Sequence, residues 1–267
     1  MRYHAAAAAV LLFTVSVFIT GCNPKSLVSN SQEISIGRDA ARQVESQYPV
    51  DKDPKLNALV DNIGQALVTC CDRQDITYTF KVLDVKEVNA FSLPGGWIYV
   101  YKGLIDDTKG NNDQLAGVIA HEIGHVAARH QAQAIGRELQ ANILIGTLTH
   151  GQTQQIAGLF ANLQLLHYSR EQEFDADKLG IKEMYRCRNK DAQVYNAQGL
   201  IDFFGTLEAK QKKDPSKFER MLSDHPVTSE RIKRSQQYLN DLKAGRATAS
   251  VGVWEYGSMG VRTVSLP

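Results

Sequence analysis

Two short stretches carry the side chains that could do chemistry: His121-Glu122-Ile123-Gly124-His125, and Glu173-Phe174-Asp175-Ala176-Asp177 about fifty residues further on. Residues four apart on an α-helix lie one above the other, so His121 and His125 can aim two imidazole nitrogens at a single point. A zinc ion suits that point. Glu122 cannot share the direction of the histidines, yet it is close enough to hold a water at such an ion, which is where a general base must sit. A catalytic zinc takes three protein ligands and keeps one position open, and Glu173 is the candidate third ligand. Asp177 faces the same way one helical turn later, so it can accept the second N–H of a ligating histidine and fix its tautomer. A structural zinc site fits less well, because Glu122 would have no duty there and such sites usually offer four ligands, often cysteines.

These residues need two helices and something to line the cleft. Asn112 or Asp113 can cap the first helix, and Leu115, Val118, Ile119, Ile123 and Val126 make it apolar enough to run through the domain centre. The second helix opens at Ser169-Arg170-Glu171-Gln172, a Ser-x-x-Gln capping box, and runs toward Arg186. Upstream, 76–82, 88–93 and 97–101 read as strands, the last two joined through Pro94-Gly95-Gly96 as a hairpin whose edge either accepts an extended peptide or is simply structural. From Ser31 to about Thr69 an apolar stripe predicts two helices broken near Pro49 to Pro54, and 131–166 reads as a helical hairpin that can lid the site. His130, five residues past His125, points to a different face and reads as structural, as do His150 and His167. The tail holds weak strand candidates at 251–256 and 261–266.

With 267 residues, 43% of them hydrophobic, the chain can bury one sizeable core. Thirty basic and 29 acidic side chains nearly cancel, and no basic block appears, so a nucleic-acid partner is not expected. Arg2, the apolar run Ala5 to Phe18 and Ile19-Thr20-Gly21-Cys22 resemble a lipoprotein signal with a lipobox. The expected organisation is a signal over 1–22, a tether over 23–32, a metallopeptidase domain over 33–245 and a tail over 246–267. Cys22 is then the lipid-anchored residue, and Asn23 after it favours the outer membrane, facing the periplasm. Export permits a disulfide, and Cys187 is expected to pair with Cys70 or Cys71, since adjacent cysteines bridge poorly.

The two stretches, with Asn89-Ala90-Phe91 upstream and Asp224-His225-Pro226 and Arg231 downstream, resemble the zinc metallopeptidases of the HtpX and CAAX-protease superfamily, in their soluble periplasmic lipoprotein branch. The resemblance spans about residues 89–231. It implies an α+β, mainly α, zincin-like domain with a small sheet or hairpin beside the helix carrying the histidines, and one zinc per chain on His121, His125 and Glu173. It further implies Glu122 as the base, His225 as an oxyanion donor or a fourth ligand that shuts the resting site, and Arg231 as a companion for the developing charge. Asn89, Ala90 and Phe91 are expected to lie beside the substrate. The implied activity is endopeptidase action on unfolded or misassembled envelope proteins. The alternative is a chaperone-like outer-membrane assembly factor whose zinc site is held closed by His225.

Overall fold

The structure, a computed structural model, describes residues 28–144, 168–189 and 192–248. The signal segment with Cys22, His150 and His167, most of the expected lid and the C-terminal strand candidates lie outside these residues. The described chain is mainly helical around a small sheet, the α+β architecture expected. Its elements are α1 (Asn30–Gln47), α2 (Pro54–Val68), β1 (Thr79–Leu83), β2 (Ala90–Leu93), β3 (Trp97–Tyr101), α3 (Lys102–Thr108), α4 (Asn112–Ala127), α5 (His130–Leu144), α6 (Arg170–Arg186), α7 (Gln198–Gln211), α8 (Pro215–Asp224) and α9 (Ser229–Lys243). A two-residue ladder, β4 (Arg188–Asn189) with β5 (Ala192–Gln193), follows α6.

The expected hairpin is present. β2 and β3 pair antiparallel, Phe91 opposite Tyr99 and Ser92 opposite Ile98, across a turn in which Gly95 and Gly96 take φ of 76° and 106° that other residues rarely adopt. β1 joins the other side of β3 in parallel, giving the order β1-β3-β2 and leaving β2 at an edge. Side-chain alternation divides the sheet between two cores. Val82, Ala90, Ile98 and Val100 pack into the main core with α2, α4, α6 and α7, whereas Leu83, Leu93, Tyr99 and Tyr101 meet Ala40, Ala41 and Val44 of α1.

Helix starts are set by local hydrogen bonds, and two differ from expectation. Ser29, not Ser31, caps α1 through a reciprocal box with Gln32, so the helix begins within the segment read as tether. Asn111, not Asn112 or Asp113, caps α4 by accepting from the Gln114 N–H. The Ser169–Gln172 box on α6 forms as read. α1 is held to the rest by fully buried Glu33, which binds Arg73 at 2.9 Å and Arg129 at 2.8 Å. At the far end Cys70, just past α2, is bridged to Cys187 at the end of α6, while Cys71 is free and buried beside Tyr78.

Candidate metal centre

α4 crosses the core with α6 and α7 against it. The approach to α6 is close because glycines sit on both sides of the crossing. A Cβ on Gly124 would lie 2.7 Å from the Ala176 carbonyl oxygen, and one on Gly180 would lie 2.9 Å from the backbone of Ala120 and His121. With the helices in backbone contact, the first turn of α6 lies against the histidine face of α4. His121, Glu122, His125 and Glu173 all sit within this contact, each 3% exposed or less.

One ligand atom from each of His121, His125, Glu173 and His225 falls within 4.8 Å of the others. The His121 and His125 Nε2 atoms are 3.0 Å apart, and His121 Nε2 is 3.3 Å from His225 Nδ1. Glu173 Oε1 lies 3.4 Å from His125 Nε2 and 3.1 Å from His225 Nδ1. A tetrahedron with metal–ligand bonds of about 2.0–2.1 Å has edges of roughly 3.3 Å, so these separations fit a single small cation. The donor set fits too. His121 Nδ1 lies 2.8 Å from Asp177 Oδ1, a contact that holds a proton on that nitrogen and turns Nε2 toward His125 and His225, where a cation would take the place of its second proton. Burial disfavours charge on His121, yet Asp177 and Glu173 outweigh it and carry its pKa up to about 9. The local field therefore asks for positive charge between the rings and the carboxylate.

A layer of polar side chains holds these groups. Arg231, 2% exposed, grips Asp177 through Nε at 2.6 Å and Nη2 at 2.8 Å, while Nη1 lies 2.6 Å from Glu173 Oε2. Burial alone would raise both carboxyl pKa values; the cations around them prevail, so Asp177 is lowered and Glu173 lies well below its usual range. His125 is pressed well below its ordinary pKa by burial, which keeps it neutral. Glu122 is raised by burial, with His225 and His121 opposing. Its Oε2 accepts from Ser92 Oγ at 2.8 Å, and its Oε1 lies 3.3 Å from His225 Nε2. The Tyr168 ring stacks on His125 with centroids 3.8 Å apart.

The structure brings His121, Glu122, His125, Glu173, Asp177, His225 and Arg231 together. Asn89 is less directly placed: its side chain donates to Asp224 Oδ2 at 2.9 Å and accepts from the Ala90 N–H, pinning β2 beside His225. Ala90 is buried and Phe91 stacks on Tyr99, so the side chains of this stretch serve the fold and its backbone forms the sheet edge. His130 lies outside the four converging groups, as read, but it does not point away from His125. Its Nδ1 lies 2.9 Å from His125 Nδ1, because the helical phase breaks at Ala128–Arg129, where Arg129 takes φ 58°, and the next turn swings back. His130 thus occupies the outer nitrogen of His125 as Asp177 occupies that of His121. Ser92, Gln131 and Tyr168 carry no motif by which a sequence reading could single them out.

Residues 54–238 match the model of peptidase family M48. The chain belongs to peptidase family M48. The resemblance to zinc metallopeptidases drawn from its motifs therefore holds. Among relatives of this M48 chain, a beta-barrel assembly-enhancing protease of Yersinia pestis is 27% identical over 236 residues, covering 84% of this chain and 47% of that protein. The mitochondrial metalloendopeptidase OMA1 of Schizosaccharomyces pombe is 27% identical, covering 83% of this chain and 65% of that protein. The metalloprotease LoiP of Escherichia coli K12 is also 27% identical, with 84% of this chain aligned to 93% of that protein. The chain thus spans about half the length of the assembly-enhancing protease it matches and nearly all of LoiP.

Proposed function

We propose that this chain is a zinc-dependent endopeptidase of the bacterial cell envelope, hydrolysing peptide bonds in unfolded or misassembled proteins. The observation that carries the reading is the convergence of His121, His125 and Glu173 on one point, with the Glu122 carboxylate beside it. Two imidazoles and a carboxylate are a donor set suited to one zinc per chain. When bound, the ion supplies Lewis acidity, making water more acidic and a peptide carbonyl more electrophilic.

Glu122 accepts the proton of the attacking water and passes it to the leaving amine. His225 donates an N–H to the carbonyl oxygen as it gains charge. Arg231 acts through others, since its guanidinium is committed to Asp177 and Glu173 and holds them in place. The substrate lies extended along the open edge of β2, its backbone paired beside Asn89, Ala90 and Phe91. Lipid attached to Cys22 anchors the chain to the outer membrane, with the stretch ahead of buried Val28 as the tether and the domain, through α9, in the periplasm. The lipobox-like sequence supports this placement, as does the Cys70–Cys187 disulfide, which suits an oxidising compartment. Among the described residues no helix is long and apolar enough to cross a membrane. The names of the assembly-enhancing relatives favour envelope proteins as substrates.

One observation favours a second reading, an assembly factor that rarely cleaves. His225 Nδ1 sits among the ligand atoms and its Nε2 faces Glu122, where a water would otherwise stand. The test compares wild type, Glu122→Gln and His225→Ala for chelator-sensitive cleavage of reduced, alkylated casein, with bound zinc measured in each. Cleavage by wild type, lost in Glu122→Gln with zinc retained, supports the protease. Zinc retention without cleavage, even in His225→Ala, supports the assembly factor instead.

A further inference from the structure

Glu122 is 0% exposed and one of its oxygens is tethered: Ser92 Oγ lies 2.8 Å from Oε2, whereas Oε1 makes no hydrogen bond and faces only His225 Nε2 at 3.3 Å. A buried carboxylate held at one oxygen keeps the plane of the other fixed. Ser92 is itself oriented. Gln131, at the start of α5, sends its Nε2 to Ser92 Oγ at 2.8 Å and toward the Ser92 carbonyl oxygen at 3.4 Å. The serine hydroxyl has one proton. Gln131 donates into its oxygen, and the Glu122 carboxylate, a stronger acceptor than the Tyr168 hydroxyl that also bonds Ser92 and Gln131, takes that proton. Turning the Gln131 amide round would set its oxygen against the Ser92 carbonyl and draw the hydroxyl proton away from Glu122, leaving buried oxygens facing one another. Alternation along β2 puts Ser92 on the α4 side of the sheet, while neighbouring Leu93 turns to α1.

We infer that Ser92 and Gln131 form a one-directional hydrogen-bond relay, Gln131 to Ser92 to Glu122, which fixes the free oxygen of Glu122 for proton transfer. Both are positioning residues; neither touches the ligand atoms. The inference rests on the reading of Glu122 as the base of a peptidase. Outer hydrogen bonds of this kind are worth roughly ten- to a hundredfold in activity when removed. A group that orients the base without binding substrate lowers kcat and leaves KM alone.

The test uses the full chain loaded with zinc and a fluorogenic casein. Ser92→Ala is expected to lower kcat roughly ten- to a hundredfold with KM and bound zinc unchanged, while Ser92→Thr, which keeps the hydroxyl, recovers most of the loss. Gln131→Leu lowers kcat by a smaller factor, and the double variant is no slower than Ser92→Ala, since a relay broken at its second link gains nothing from its first. Thermal melting confirms that each variant folds. Should Ser92→Ala not fold, Gln131→Leu alone decides. An unchanged kcat in folded Ser92→Ala, a rise in KM at constant kcat, or multiplicative losses in the double variant each overturn the relay while leaving the protease reading intact. A wild-type protein that does not cleave overturns both.

Discussion

Glu183 offers a test of the energetics that is independent of the metal. It lies on α6, is 0% exposed, and has only the weak thiol of buried Cys71 as a hydrogen-bonding neighbour among the described residues. Burial raises its pKa from 4.5 to about 8, with the charge of Arg186 opposing and that of Asp72 reinforcing the rise. The folded chain therefore keeps a proton that the unfolded chain releases above pH 4.5. Over the window from about 4.5 to about 8 the folded state binds more protons, so its stability falls as pH rises, and the slope vanishes above the folded pKa. The slope is about 1.4 kcal/mol per pH unit. For a domain of this size that is roughly 4 °C in Tm per unit. Glu183→Gln resembles the protonated acid in shape and cannot lose a proton. Subtracting its Tm from that of wild type at pH 5, 6, 7 and 8, by calorimetry at fixed zinc, removes every titration the two share. The difference should grow steadily in favour of the variant and level off above pH 8. Parallel curves would refute the reasoning, since Glu183 would then be ionised or solvated in the folded protein.

Removing the partner of two buried carboxylates is costly, so Arg231→Gln should lose about 3–5 kcal/mol in urea denaturation and weaken zinc binding, and Arg231→Lys should not restore either, lacking the forked geometry that spans Asp177 and Glu173. Cys70→Ser opens a bridge of sequence separation 117, for which chain entropy gives about 4–5 kcal/mol, read as a lower urea midpoint; an unchanged midpoint counts against the bridge. Gly180→Ala places a methyl 2.9 Å from the backbone of α4, and an expected loss of about 1–3 kcal/mol should come with weaker zinc affinity by competition titration, because Glu173 is pushed off with its helix. Stripping the metal with a chelator should lower Tm, and restoring zinc should raise it again by an amount that grows with the logarithm of the free zinc concentration, whereas a Tm indifferent to zinc would mean the four donors hold no ion.

Features written in adjacent residues were legible in the sequence, and those written in distant partners were not. The hairpin at Pro94-Gly95-Gly96, the Ser169–Gln172 box and the helix carrying His121 and His125 each depend on residues within one turn of each other. The pairing of Cys187 was narrowed to two choices by strain between neighbours, but only the spatial position of α2 selects Cys70. The direction of His130 is not legible because counting in steps of 3.6 assumes an unbroken helix, and nothing about Arg129 announces a left-handed backbone. The resemblance makes Arg231 a companion for developing charge, and its part in holding Asp177 and Glu173 is not legible, since those carboxylates belong to α6, more than fifty positions earlier. Ser92 is one more small residue in a strand until Glu122 and Gln131 are seen on either side of it.

The absence of a Cβ at Gly124 and Gly180 means that the distance between the two ligand-bearing helices is set by main chain touching main chain. Rotamer changes elsewhere in the core cannot loosen such a contact, so the spacing of the donors is decided before any side chain is chosen. Variation in the loops and in the strand edge can then arise without disturbing the spacing of the four donors.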